Sequence, residues 1–363
     1  MGDANRGGAS AREIAEADRR LPLEDAELAA RRAVGLAAFL WTCRRRGLLG
    51  GRRLEGLPGR GRGAGLEEAA GLAEERLGCS LFELPSAGRA GDAQATGLAG
   101  LGIDEETLRS ALARSAVPKA ALDVLAERVE SLGAIHERLL GRRLRRRKDG
   151  RVGAEKSARA KRKGGIFYTP SCVARYVVEK CVGRGSEGEI LDPACGSGAF
   201  LLAACRRLAG GGQTGGWAAE KVFAMDVDAE AVLAARRSVW LEIISARPRD
   251  DTGGVARTVA ENIRAGDVLV DSVPKSWAGR FGAVVGNPPY RRELNSKVLL
   301  DRIAATDFGR RHRSPRMDLW YYFVHRSLEL LQPGGRLSFI VGSYWTAGRG
   351  AEKVIAALED QCH

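Results

Sequence analysis

Residues 284–290 read VVGNPPY. Val284 and Val285 close a short apolar run of buried-strand type, and Gly286, Asn287, Pro288, Pro289 and Tyr290 follow. The two prolines stop the strand and fix the backbone, because neither has an N–H to give to a ladder. The stiffened tip presents one amide and one aromatic ring. An exocyclic aromatic amine or an amide nitrogen is a poor nucleophile, since its lone pair is delocalised. Acceptors for both of its N–H bonds draw that nitrogen towards a tetrahedral shape and free the lone pair. The Asn287 side-chain oxygen can take one bond and the Pro288 carbonyl the other, with the prolines holding the pair rigid. Tyr290 then offers a ring on which an extruded base can stack.

Three other stretches carry residues of the same kind. In LDPACGSGAF (191–200), Gly196 and Gly198 let the backbone turn tightly and approach a ligand with no Cβ in the way. The loop opens a helix, but its spacing is not GxGxxG and it lacks a GK[ST] ending. In VFAMDVD (222–228), Asp226 falls at a strand end, where a carboxylate can accept both hydroxyls of a ribose. Taken alone, Asp226 or Asp228 reads as a helix N-cap. Behind a glycine loop, ribose binding is the better reading, with Asp226 ahead of Asp228. In RAGDVLV (264–270), Asp267 is either an acceptor for an exocyclic amine or a turn residue.

These residues need elements to hold them. From residue 165 onward, short apolar runs (GEILDPA, KVFAMD, FGAVVG, RLSFIVG) alternate with helical stretches (GAFLLAACRRLA, AEAVLAARRSVWLEII, DLWYYFVHRSLELLQPGG). That alternation predicts βαβ units and an α/β, doubly wound parallel sheet, whose ligands sit at the carboxyl ends of the strands. Residues 1–140 show three- and four-residue apolar spacing broken by Gly-rich loops, a mainly α-helical region. A basic run, GRRLRRRKDGR (141–151) and EKSARAKRKGG (155–165), separates the two. It reads equally as a solvated linker and as a strip of phosphate contacts. The expected organisation is 1–140 helical, 141–165 basic linker and 166–363 catalytic.

Composition sets the outer bounds. The chain has 363 residues, 44% apolar, with a formal charge of +13. Such a balance suits a polyanionic partner, although much of it reflects heavy Arg, Ala and Gly usage. The polar, mixed-charge N-terminus is no signal peptide, and the longest apolar run (33–41) is too short to span a bilayer. Seven cysteines without CxxC spacing and four scattered histidines predict neither a disulfide framework nor a metal site. The expectation is a cytoplasmic protein without membrane partners or metal.

Across most of its length the chain resembles adenine-N6 DNA methyltransferases, specifically those of fused restriction–modification enzymes of the Eco57I type. GGIFYTP (164–170) is similar to their cofactor clamp and LDPACGSGAFLLAA to their methionine loop. DVDAEAV resembles the ribose-binding strand end, and MDLWYYFVHRSLELLQPGGRLSFIV (317–341) the helix and strand beside the site. RGLL (46–49) and LGAIHERLLG (132–141) look like the helical connector of those enzymes. The resemblance implies a Rossmann-like sheet and S-adenosylmethionine as cofactor. It places Tyr168, Thr169 and Pro170 in the clamp, and Asp192, Ala194, Gly196 and Gly198 around the methionine part. Asp226 would take the ribose and Asp267 would face the cofactor's adenine. Asn287, Pro288, Pro289 and Tyr290 would receive the target base of double-stranded DNA.

The methyltransferase fold implied by the resemblance has seven strands, and only five are countable here, the fifth at RLSFIVG. The sheet therefore reads as truncated after the fifth strand, with target recognition left to a separate chain or a missing C-terminal region. The isolated chain is accordingly expected to bind cofactor weakly and to methylate no specific site. Two alternatives share the motif or the partner. One is methylation of another amide-type nitrogen, as in release-factor glutamine or RNA guanine-N2 enzymes, against which the FYTP clamp and long helical front half argue. The other is a non-catalytic DNA-binding remnant of a restriction system.

Overall fold

The structure is a computed structural model that describes residues 129–140, 142–146, 152–156, 169–183, 188–209, 215–246, 251–270, 273–290, 297–343, 345 and 350–363, with positions 35, 38, 39, 42, 43 and 46. The chain divides into two compact units, residues 1–161 with 236–257, and residues 162–235 with 258–363.

In the first unit, α1 (Glu130–Leu140) leads into an antiparallel pair, β1 (Arg142–Arg146) and β2 (Val152–Lys156). This pair lies within the stretch read from sequence as a linker. The buried rings of Phe39 and Trp240 meet at 5.8 Å with the Arg237 guanidinium 6.0 Å over Phe39. The Trp240 indole N–H donates to the Thr252 carbonyl at 3.0 Å, so the ring's one polar atom is satisfied.

The second unit holds a five-stranded parallel sheet. Its strands are β3 (Ile190–Asp192), β4 (Val222–Asp226), β5 (Ile263–Ala265), β6 (Phe281–Gly286) and β7 (Leu331–Phe339), in the order β5-β4-β3-β6-β7. The α/β fold expected from sequence is thus present. β3 and β4 are buried runs without alternation, as strands covered on both faces must be. Helix α2 (Ser171–Cys181) precedes β3, and α3 (Ala199–Ala209) and α4 (Gly215–Lys221) lie between β3 and β4. The helices α5 (Ala229–Ala246) and α6 (Thr252–Asn262) connect β4 to β5. After β6 come α7 (Lys297–Ala304), α8 (Asp307–His312) and α9 (Leu319–Leu330), and α10 (Glu352–Gln361) follows β7.

Sequential strands run outward from β3 in one direction through β4 and β5, then in the other through β6 and β7. The order therefore reverses between β3 and β6, and in open sheets of this kind ligands bind at that switch point. At the opposite ends of the strands, Phe223, Trp277 and Phe281 pack edge-on with centroids 5.4–5.7 Å apart. The Arg280 guanidinium lies 4.4 Å over Phe223 and donates through Nη2 to Glu189 at 2.8 Å, pinning the starts of β3, β4 and β6 together. Helix α9 buries Leu319 to His325 without a break, which is the pattern of a helix enclosed on all sides.

One boundary differs from the sequence reading. The Pro-Gly-Gly stretch was expected to close α9, but α9 ends at Leu330 and β7 begins at once. Leu331 pairs with Phe281 and Arg336 with Ala283, so residues 332–335 bulge out of the register, with Gly334 at φ 74°. Pro333 has no N–H for a ladder and is tolerated in this bulge.

Candidate active site

The glycine loop leaves β3 at the switch point. Gly196 has φ 51° and Gly198 φ 92°, conformations that side chains with a Cβ rarely adopt. A Cβ on Gly198 would also lie 3.1 Å from the Ala235 Cβ, whereas one on Gly196 would face open space. Gly198 thus serves packing of the loop, and Gly196 leaves an approach to its backbone. The Cys195 N–H donates to the Met225 carbonyl at 3.0 Å and the Gly196 N–H to Asp226 Oδ2 at 2.8 Å, so the loop is tied to the end of β4.

Of Asp226 and Asp228, both weighed as helix caps, Asp228 takes that role. Asp228 Oδ1 accepts from the N–H groups of Glu230 and Ala231 at 3.0 and 3.4 Å, which makes it the N-cap of α5. Asp226 instead spans the loop and its own strand end, with Oδ1 accepting from the Asp228 N–H at 2.8 Å. Between them Val227 is 73% exposed, an apolar side chain at the strand end that the sequence reading passed over. Asp267 ends the segment after β5 in a turn, its Oδ1 accepting from the Leu269 N–H at 3.0 Å.

Asp192 is fully buried at the end of β3. Its Oδ1 accepts from the Ala194 N–H at 3.1 Å, while Oδ2 has no hydrogen-bond partner among the described residues. Burial, and secondarily the nearby Asp226 charge, push its pKa up to about 8 against the pull of the Ala194 N–H. The carboxyl fills the space beside Gly286, where a Cβ would come within 2.9 Å of Oδ1. Gly286 is therefore a glycine because Asp192 lies against it. The two strands that flank the switch point touch through this pair.

Asn287 to Tyr290 leave the end of β6. Pro288 is buried, and Asn287, Pro289 and Tyr290 are half-buried. The Asn287 Nδ2 donates to the hydroxyl of Thr169 at 3.1 Å, and its Oδ1 receives the hydroxyl of Tyr290. That hydroxyl also reaches the Ile340 carbonyl at 2.5 Å, beyond the end of β7. Tyr290 packs against the apolar core of the unit. Thr169 is itself buried immediately before α2. Its link to Asn287 spans 118 residues, and no spacing in the sequence announces it.

The structure thus brings together Asp192, Ala194, Gly196, Gly198 and Asp226 on one side of the switch point. Thr169 and residues 287–290 lie on the other side. Pro170 is exposed at the entry to α2, its carbonyl accepting from Val173 and Ala174 at 2.9 and 3.0 Å. Tyr168 lies outside the described residues. Among the described residues no group of three or more His, Cys, Asp and Glu is placed to hold a metal ion. Nor is any helix among them long and apolar enough to cross a membrane.

A parallel sheet with this switch point, a glycine loop after its central strand and an acid at the next strand end is a Rossmann-like, doubly wound α/β fold. Residues 220–363 match the family model of the Eco57I restriction-modification methylase. The type II methyltransferase M.XhoI of Xanthomonas vasicola is 32% identical over 188 residues, 48% of this chain and 32% of its own length. The type II methyltransferase M.PaeR7I of Pseudomonas aeruginosa is 28% identical over 190 residues, 49% of this chain and 31% of its own. Among solved structures, the type IIG restriction endonuclease BpuSI aligns with a TM-score of 0.51 at 15% identity, over 96% of this chain and 35% of that one. The chain spans about a third of the length of the curated relatives it matches. The resemblance to Eco57I-like restriction–modification methyltransferases is borne out by these matches.

Proposed function

We propose that this chain carries the catalytic site of a restriction–modification DNA methyltransferase that transfers a methyl group from S-adenosylmethionine to N6 of an adenine extruded from double-stranded DNA. The observation that carries the reading is the adjacency at the switch point, with the glycine loop tied to Asp226 on one side and Asn287 to Tyr290 on the other.

The residues present suit that cofactor. The open space at Gly196 admits a ligand to the loop backbone, Asp226 offers acceptors for ribose hydroxyls, and exposed Val227 offers apolar surface beside them. Asp267 and the Thr169–Pro170 entry to α2 complete the expected contacts. When bound, S-adenosylmethionine supplies an electrophilic methyl on a sulfonium. Asn287 is held by Thr169, which accepts from Nδ2 and so turns Oδ1 away from α2 as the acceptor for an incoming amine. The amine takes the place of the Tyr290 hydroxyl at Oδ1, and the tyrosine hydroxyl keeps the Ile340 carbonyl. Pro288 and Pro289 hold the turn rigid while this exchange occurs.

Titration calorimetry of the chain with S-adenosylmethionine tests the cofactor half, and absence of binding overturns it. The substrate half is tested by transfer of labelled methyl groups to duplex DNA, in any sequence context, followed by digestion to nucleosides. Label in N6-methyladenine supports the reading. Label in another nucleoside, or in protein or RNA acceptors offered in parallel, overturns the adenine assignment.

A further inference from the structure

The antiparallel pair β1–β2 of the first unit spans the densest charge in the sequence. Between Arg142 and Lys156 stand eight Lys and Arg against Asp149 and Glu155, so fifteen residues carry +6 of the chain's formal +13. Such a ribbon has little reason to form on its own account. Leu144 opposite Ala154 is its one fully apolar register pair. Arg142 stands opposite Lys156, a like-charge pairing that destabilises a ladder. Arg145 stands opposite Gly153 and Arg146 opposite Val152, and Arg143 alone has an acid, Glu155, in register. By register, positions 142, 146 and 156 fall on one face of the ladder and 143, 145 and 155 on the other, and by sequence each set has more Lys and Arg than acids.

A polyanion that meets both faces removes this repulsion. The major groove of B-DNA, ~12 Å wide, admits a two-stranded β-ribbon. Residues two apart on one face of a strand, such as Arg143 and Arg145, are separated by ~6.6 Å, which matches about two nucleotide steps of 3.4 Å along one DNA strand. The guanidinium fork is the side chain best matched to phosphate oxygens. Residues 142–156 contain no Asn, Gln, Ser or Thr, so the ribbon supplies affinity and orientation, leaving base reading elsewhere.

We infer that the β1–β2 hairpin is a duplex-DNA contact, laid along a groove with its arginines on backbone phosphates. The inference rests on the proposed methyltransferase reading only in its choice of DNA as the polyanion.

The test is binding of a labelled mixed-sequence duplex to the full chain, by fluorescence anisotropy, from about 50 to about 200 mM salt. In the variant Arg142→Gln/Arg143→Gln/Arg145→Gln/Arg146→Gln, the slope of log affinity against log salt becomes shallower by about 3–4, at ~0.9 per phosphate contact. Arg143→Gln/Arg145→Gln, which alters one face only, loses about half of that, so the reading survives should the fourfold variant not fold. The four Arg→Lys replacements keep most of the slope. An unchanged slope in both Gln variants overturns the inference, as does failure of the unaltered chain to bind duplex at low salt. Equal affinity for single-stranded DNA or duplex RNA, with the same loss in the variants, overturns the duplex-DNA assignment. S-adenosylmethionine titration separates the two readings. A slope that falls in a chain that binds no cofactor leaves the hairpin standing and removes the proposed function, and cofactor binding with an unchanged slope does the reverse.

Discussion

Asp226 takes the Gly196 N–H on one carboxylate oxygen and the Asp228 N–H on the other, each at 2.8 Å. One side chain therefore sets the glycine loop against the end of β4. Removing it releases the loop and withdraws the proposed ribose acceptor together. Loss of hydrogen bonds to a charged group costs about 1.5–3 kcal/mol, so Asp226→Ala should weaken S-adenosylmethionine binding about tenfold or more by calorimetry. Asp228→Ala should behave differently, lowering stability by about 1 kcal/mol in urea titrations through loss of the α5 cap while leaving cofactor affinity in place.

Asn287→Ala is expected to abolish methyl transfer and to keep cofactor binding, since Asn287 lies across the switch point from the glycine loop. Thr169 acts through Asn287. Thr169→Val removes the acceptor for Nδ2, a neutral hydrogen bond worth about 1 kcal/mol, and should slow single-turnover transfer about fivefold. Thr169→Ser should restore it. Damage by Thr169→Ser with none by Thr169→Val would show that the methyl group, not the hydroxyl, matters.

Two buried groups tilt the pH dependence of stability in opposite directions. Asp192 is raised from an ordinary 3.8 to about 8, chiefly by burial. Below about pH 4 the acid is neutral in both folded and unfolded chains and its contribution is complete. As pH rises to about 8 the unfolded chain gains by ionising, and that stability is lost. His325 on α9, stacked on His312 at 4.2 Å, is lowered from 6.5 to about 4 by burial and then by the neighbouring His312 and Lys353 charges, against Glu329. Its contribution is complete above about pH 6.5 and is lost as pH falls to about 4. In urea titrations across pH, Asp192→Asn should flatten the alkaline limb and His325→Gln the acid limb.

Gly286→Ala should disturb the site from within the sheet. The added methyl meets Asp192 Oδ1 at 2.9 Å, and this fully buried carboxyl has little room to give. Overpacking of this kind costs about 1–3 kcal/mol. The double variant Gly286→Ala/Asp192→Ala should recover part of that loss, and strict additivity in a thermal-unfolding cycle would show that the two do not press on each other.

Much of the sheet was legible because buried parallel strands write themselves as short unbroken apolar runs. GEILD, KVFAMD and FGAVVG became β3, β4 and β6. β5 is only Ile263–Ala265, with Arg264 and Ala265 exposed, too short and too polar for any periodicity to mark. The β1–β2 pair was missed because a run of arginines carries no apolar alternation, and its strands are visible only in their register. In the candidate site, residue types and spacing put the glycine loop, Asp226 and residues 287–290 at the ends of β3, β4 and β6, where they lie. They could not foretell that Thr169 would hold the Asn287 amide or that the Tyr290 hydroxyl would lie on its oxygen. Those contacts depend on elements brought together from distant parts of the chain.

The order of the strands also sets an order of assembly. β3 meets β4 about thirty residues on, but meets β6 only after about ninety, and contacts that close longer loops form more slowly. The glycine loop and its Asp226 anchor can therefore form while Asn287 is still unplaced. During synthesis at roughly 5–20 residues per second, the free edge of β3 waits several seconds or more for its second neighbour. Until then Ile190 and Leu191, fully packed in the finished sheet, line an open apolar edge of the kind that recruits other chains. The nascent protein passes through a stage in which the glycine-loop side of the switch point is built and the Asn287 side is not, and chaperone demand should peak there.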